Sequence, residues 1–158
     1  MIEVAARRAG PDDLPVLLSL YESLEAEMTA LHPMWPLADG LPEPVEDALL
    51  ASLDDPSALV YVGTIDGVRL GFLLARIEGL LPQAGGALIG SIRLVFVDSQ
   101  AREVGVGESM RDLAMSELRG RGIRRFDAHV LPGHRLVKNF FEAGGFAARS
   151  IVMHHADR

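Results

Sequence analysis

The sequence predicts an α/β (α+β) fold, a mixed and mostly antiparallel sheet with helices on both faces. Three observations predict it. Residues 59–65 and 68–77 are apolar runs joined by Asp66-Gly67, a strong two-residue hairpin signal. A third run, residues 87–97, follows after the short connection from Gly79 to Gly86, so the three strands form an antiparallel meander. That run enters a glycine-containing turn and an amphipathic pattern, and another strand emerges at residues 125–130. A helix between two strands of one sheet is a parallel crossover.

The remaining elements follow in order. Residues 2–8 read as a first strand, ended by Gly10-Pro11. Pro11, Asp12 and Asp13 suit a helix start, because proline tolerates the first turn and carboxylates favour its dipole. Leu14, Leu17, Leu18, Tyr21, Leu24 and Met28 then recur every three or four residues as one apolar stripe. Glu22, Glu25 and Glu27 lie off the stripe, either as its solvated face or as an attraction for a cationic ligand. Residues 31–44 form a proline-punctuated loop with His32, Met34 and Trp35. Long loops in compact domains often bind ligands, and Trp35 either serves such a site or plugs the core edge. Residues 45–53 fit a second helix. Met110, Leu113, Ala114 and Leu118 stripe the helix after the glycine turn. Leu136, Val137, Phe140 and Phe141 stripe a last helix from about His134 to Ala143, ended by Gly144 and Gly145. Residues 148–155 read as a final strand. No repeat or linker divides residues 1–158, which are expected to form one domain.

Composition narrows the function. A hydrophobic content of 49% and a mean hydropathy of +0.21 argue for a packed globule. No run is apolar enough to span a bilayer, and no basic, then apolar, leader opens the chain. With no cysteine there is no disulfide, thiolate metal site or cysteine nucleophile. These features point to the cytoplasm, with no membrane association. The net charge of −7 disfavours a nucleic-acid surface and suits either a cationic small-molecule partner or plain solubility. The one basic cluster, Arg119-Gly120-Arg121-Gly122-Ile123-Arg124-Arg125, is a solvated helix end or a contact to a phosphate or partner. No His/Asp/Glu spacing makes a metal site.

The chemistry gathers at Arg102-Glu103-Val104-Gly105-Val106-Gly107-Glu108-Ser109. Two glycines let the backbone turn tightly and approach a ligand. The helix start leaves N–H groups free, and its dipole favours a phosphate or pyrophosphate. The pattern Val97-x-x-x-x-Arg102-x-x-Gly105-x-Gly107 resembles the acyl-CoA signature of the GNAT acetyltransferase superfamily. Residues 130–146, with His134, Val137, Phe141 and Gly145-Phe146, resemble that family's closing motif. The resemblance implies a GNAT-like sheet of six to seven strands flanked by about four helices. It also implies acetyl-CoA as acyl donor co-substrate and transfer to a primary amine, on a small molecule or a peptide, by direct attack on the thioester.

Carried over residue by residue, the resemblance assigns the backbone of Val95 and Val97 to the pantetheine arm. It assigns the N–H groups of Glu103, Val104, Gly105, Val106, Gly107, Glu108 and Ser109 to the pyrophosphate. Arg102 either adds positive charge there or braces the loop. His134 replaces the family's usual pantetheine-contacting asparagine and still donates one hydrogen bond. Phe141 replaces the tyrosine proposed to protonate the leaving thiolate, and has no proton to give. Ser91 stands where some members carry a glutamate base, and is a candidate to hold a relaying water. His129 stands where others carry theirs; it is either a general base, suited by its unperturbed chemistry, or a structural strand-face histidine. The missing tyrosine and glutamate leave a CoA-binding sensor or interaction module without transferase activity as the rival reading. Acetylation of tRNA-linked or protein amines would want a basic docking face. An exposed sheet edge at the C-terminus allows a homodimer.

Overall fold

The structure, a computed structural model, describes residues 1–158 apart from the side chains of residues 37 and 38. Five strands form one sheet in sequence order: β1 (Val4–Arg8), β2 (Ala58–Ile65), β3 (Val68–Gly79), β4 (Leu88–Val97) and β5 (Phe126–Ala128). Neighbours among the first four are antiparallel to each other, and β5 is parallel to β4. The helices are α1 (Leu14–Leu31), the single turn α2 (Trp35–Ala38), α3 (Val45–Asp54), α4 (Val106–Gly120) and α5 (Arg135–Ala143).

The side-chain alternation of the strands divides the core between two faces. Val60, Val62, Phe72, Leu74, Leu94 and Phe96 meet α1 and α3 on one face. Leu59, Tyr61, Leu73, Ala75 and Ile92 meet α4 and α5 on the other. In α1 the fully covered stripe is Leu17, Leu20, Tyr21, Leu24 and Met28; Leu14 and Leu18, expected within it, lie only partly buried at its margin. Trp35 is 5% exposed and belongs to the α1 side of the core. On α4, Val106, Met110, Ala114 and Leu118 recur every four residues, and all face the sheet.

Local chemistry fixes the joints. Asp66 (φ 49°) and Gly67 (φ 81°) both turn left-handed, as the tight β2–β3 hairpin requires, and Ile65 faces Val68. The turn between β1 and α1 is held by Asp13, only 2% exposed. Arg7 donates to both of its oxygens at 2.8 and 2.9 Å, Arg69 donates at 3.0 Å, and Gly10 N–H donates at 2.8 Å. The Arg7 hydrogen bonds outweigh burial and hold the Asp13 carboxyl far below the usual carboxylate range.

The expected sixth strand does not form, so the sheet has five strands instead of six to seven. Residues 148–155 carry no secondary structure, and Ile151, Val152 and Met153 are 77%, 88% and 88% exposed. Their local preference for a strand is met by no backbone partner. The contact they keep with the sheet edge is through side chains, Arg149 Nε donating to Asp127 Oδ1 at 2.7 Å.

Candidate functional site

A register shift in β4 opens the site. Leu74 faces Leu94 and Ala75 faces Ile92, which leaves Arg93 as an extra residue opposite β3. The bulge flips the side-chain phase, so that Ile92 packs towards α4 while Leu94 and Phe96 pack towards α1. Pairing between β4 and β5 runs from Gly90 to Ile92 and ends with His129 N–H on Ile92 O at 3.0 Å. Beyond it the strands part. Asp98 N–H bonds Leu70 O on β3, so by alternation Phe96 also points its backbone to β3, while Val95 and Val97 point theirs into the gap.

The gap is a cleft of about 310 Å³. Val95 and Val97 line one wall, the turn Ala101–Glu108 its end, and His134, Leu136, Val137, Asn139 and Phe140 of the α5 segment the other wall. At its end Gly105 has φ +100°, a conformation costly for any residue with a Cβ. Glu103 also sits at a positive φ, 69°. The first bond of α4 runs from Ser109 N–H to Gly105 O at 3.0 Å, so the N–H groups of Val106, Gly107 and Glu108 precede it without a helical acceptor. Gly107 keeps the cleft open here, because a Cβ on it would stand 3.1 Å from Phe140 Cε1. The expected cradle residues are therefore brought together, except that Val104, 44% exposed, and Ser109 do not line the cleft.

Arg102 makes its polar contacts within the protein. Its Nε donates to Val97 O at 2.9 Å, and its Nη2 donates to both Glu27 oxygens at 2.7 and 2.9 Å. The guanidinium also lies over the Phe96 ring, 5.5 Å from its centre. The Val97 carbonyl thereby has one partner within the protein, while the Val97 N–H and the backbone of Val95 point into the gap. Glu27, legible in sequence only as the off-stripe face of α1, is the partner that sequence reasoning missed. His134 faces the same cleft, half-buried. Burial pushes its pKa down, Glu27 opposes this and Arg102 adds to it, which favours the neutral imidazole.

Phe141 lies elsewhere. It is 3% exposed in the α4-side core, edge-on to Phe140 at 5.0 Å and Phe146 at 5.2 Å, and Phe140 is the ring that reaches the cleft. No tyrosine replaces it there. Tyr21 donates to Glu25 and Tyr61 to Glu117, each at 2.6 Å, and burial followed by the Glu25 bond pushes Tyr21 up to about 12. Ser91 is 1% exposed within the paired stretch of β4 and lines neither cavity.

His129 stands outside the cleft beside a second cavity, of about 550 Å³, lined by Glu25, Trp35, Asp39, Leu41 and Arg93. Its Nδ1 is 3.2 Å from Asp39 Oδ2, and Arg93 Nη1 lies 2.9 Å from its Nε2. Arg93 also approaches Asp39 at 3.5 Å and Glu78 Oε1 at 3.2 Å; that buried Glu78 oxygen has no aligned hydrogen bond. The two cavities flank the bulge. The basic cluster beyond α4 lines neither: Arg121 bonds Pro56 O and Arg119 stacks on Phe126. Among the described residues no group of three acidic or histidine side chains is arranged for a metal, and no helix is long and apolar enough to cross a membrane.

A strand splayed from its parallel neighbour, leading to a glycine turn that closes the end of the gap, defines the acyl-CoA transferase class of fold. The sequence matches the Acetyltransferase (GNAT) family model over residues 17–146. This chain belongs to the GNAT acetyltransferase family and is an enzyme of that class. A search of curated proteins returns no match to the sequence. Among solved structures it is similar to AAC(6')-Iy in complex with the bisubstrate analog CoA-S-monomethyl-acetylneamine, with TM-score 0.77, 18% identity and 99% of each chain covered. It is also similar to a GCN5-related N-acetyltransferase from Ralstonia eutropha JMP134, with TM-score 0.75, 21% identity and 98% and 99% covered. The aminoglycoside acetyltransferase meta-AAC0020, from an uncultured soil metagenomic sample and in complex with trehalose, aligns with TM-score 0.73, 15% identity and 98% and 95% covered.

Proposed function

We propose that this protein transfers the acetyl group of acetyl-CoA to a primary amine on a small molecule, within one domain spanning residues 1–158. The observation that carries this is the cleft itself: open backbone at Val95 on one wall, and free N–H groups of Val106, Gly107 and Glu108 at its end. Those donors suit a pyrophosphate, and the strand edge suits an amide-containing arm. Two observations support a small cationic amine as acceptor. Glu25 and Asp39 line the second cavity beside Trp35, and a solved relative of this fold carries an analog joining CoA to acetylneamine.

In the proposed reaction the amine nitrogen attacks the thioester carbonyl carbon. The C–N bond forms, the C–S bond breaks, and backbone donors near the end of β4 stabilise the developing oxyanion. His129 is the candidate base for the ammonium proton, because it stands beside the acceptor cavity whereas Ser91 is buried within β4; its Nε2 accepts the proton once it parts from Arg93 Nη1. With phenylalanine at position 141, CoA leaves as thiolate, and the second proton that the nitrogen sheds on becoming an amide reaches the thiolate through water. The test is release of CoA thiol with a panel of primary amines. We expect turnover with polyamines or amino sugars, and loss of about 10²-fold in kcat for His129→Ala with CoA affinity unchanged. CoA binding without turnover on any amine would leave a CoA-binding module instead. The same reading includes a homodimer, supported by the exposed Ile151, Val152 and Met153 and by β5 standing at the edge of the sheet; a monomer at sedimentation equilibrium would refute that part.

A further inference from the structure

The cleft is lined by more negative charge than an anion site needs. Glu27, Glu103 and Glu108 face it against a single guanidinium, that of Arg102. That guanidinium is already engaged by Glu27 and by the Val97 carbonyl. Attraction for a polyanion therefore comes from backbone N–H groups and the helix dipole. Glu108 is itself one of the three residues that carry them. It is the third residue of α4, and its carboxylate folds back over the helix start, where its Oε2 would stand 3.4 Å from a Cβ on Gly105. A glutamate in this position can close a capping box by accepting the N–H of the residue before the helix. Gly105, the residue before α4, has no capping side chain of its own, so Glu108 supplies the carboxylate that stands at the helix start.

We propose that Glu108 is an internal anion that competes with the pyrophosphate of the acyl donor for the N-terminus of α4, and so sets donor affinity. The inference rests on the acyl-CoA reading above and deepens it. On binding, the Glu108 carboxylate either swings into solvent or stays within close range of the phosphates, and each course lowers affinity. Salt screens the repulsion, so the affinity holds or rises with ionic strength, the opposite of a site built from free cationic side chains.

Titration calorimetry of the full chain with CoA, at about 0.05 M and about 0.3 M salt, tests this. Glu108→Gln keeps the size and helix preference of the side chain and removes its charge. We expect it to bind CoA about three- to tenfold more tightly than wild type at low salt, with the difference shrinking at high salt. Glu103→Gln, whose side chain is not folded over the helix start, gains less. Equal or weaker binding by Glu108→Gln overturns the proposal, as does a wild-type affinity that falls steeply with salt. CoA binding by Glu108→Gln but not by wild type would support both it and the donor reading. Absence of binding in both proteins overturns the donor reading and this inference with it, an outcome distinct from binding that ignores the substitution.

Discussion

Arg102 is where bracing and ligand binding make opposite predictions. Arg102→Met puts an apolar side chain of similar length beside Phe96 and removes every polar contact of the guanidinium. Two things are lost: the bond to Val97 O at 2.9 Å, and the Nη2 contacts with Glu27 at 2.7 and 2.9 Å. Both side chains of the pair are less than one-third exposed, 24% and 32%, so the ion pair is only partly screened. The carbonyl bond contributes about 1 kcal/mol, and the pair a further ~0.5–2 kcal/mol. For a chain of 158 residues each kcal/mol lowers Tm by roughly 2–4 °C, so we expect a fall of about 3–12 °C by calorimetry. Glu27→Gln loses only the pair and falls by less, and the double variant shows a coupling of roughly 1 kcal/mol. CoA affinity drops about tenfold in Arg102→Met because the turn loses its tether and Glu27 is left uncompensated, but it holds in Glu27→Gln, where the Val97 bond survives. An unchanged Tm with CoA binding abolished in Arg102→Met would refute the brace and make Arg102 a phosphate ligand.

Two further outcomes follow from titrating groups. Asp13 has a folded pKa depressed below its unfolded value near 3.9, so its stabilisation is complete above that value and is lost only as pH falls through the lower, folded pKa. Asp13→Asn should therefore cost about 2–4 kcal/mol at pH 7 in urea unfolding, with the difference from wild type narrowing in strong acid. His134 is also depressed, by burial. Its neutral state thus stabilises the fold above the ordinary histidine value near 6.5, and that contribution disappears as pH falls through the folded pKa. His134→Asn should keep CoA affinity within about threefold while His134→Ala loses about tenfold by titration, since both histidine and asparagine supply one donor.

How much of this was legible in the sequence depended on whether the signal was local. Asp66-Gly67 announced its hairpin because both residues must turn left-handed, and Gly105 announced the turn for the same reason. The α4 stripe was legible because Met110, Ala114 and Leu118 repeat at helical spacing and all meet one sheet face. The β4 bulge left no trace, since one extra residue at Arg93 changes phase without changing composition. The pairing of Glu27 with Arg102 joins residues 75 apart in sequence, and no local pattern carries it. Residues 148–155 failed in the opposite sense. Their strand preference is real, but a strand needs a backbone partner that this chain does not supply there.

We propose that the turn from Arg102 to Glu108 is a phosphate cradle serving acyl transfer. The most direct test is calorimetric titration of acetyl-CoA and CoA into the wild-type protein and into Gly107→Val. The added side chain would meet Phe140 across the cleft at 3.1 Å, at the second position of α4, where no helical bond is lost. The prediction is binding of both ligands by the wild type, and loss of binding in a variant whose melting temperature is nearly unchanged. Equal affinity in the two proteins would contradict it, and the glycine turn would then serve the fold alone.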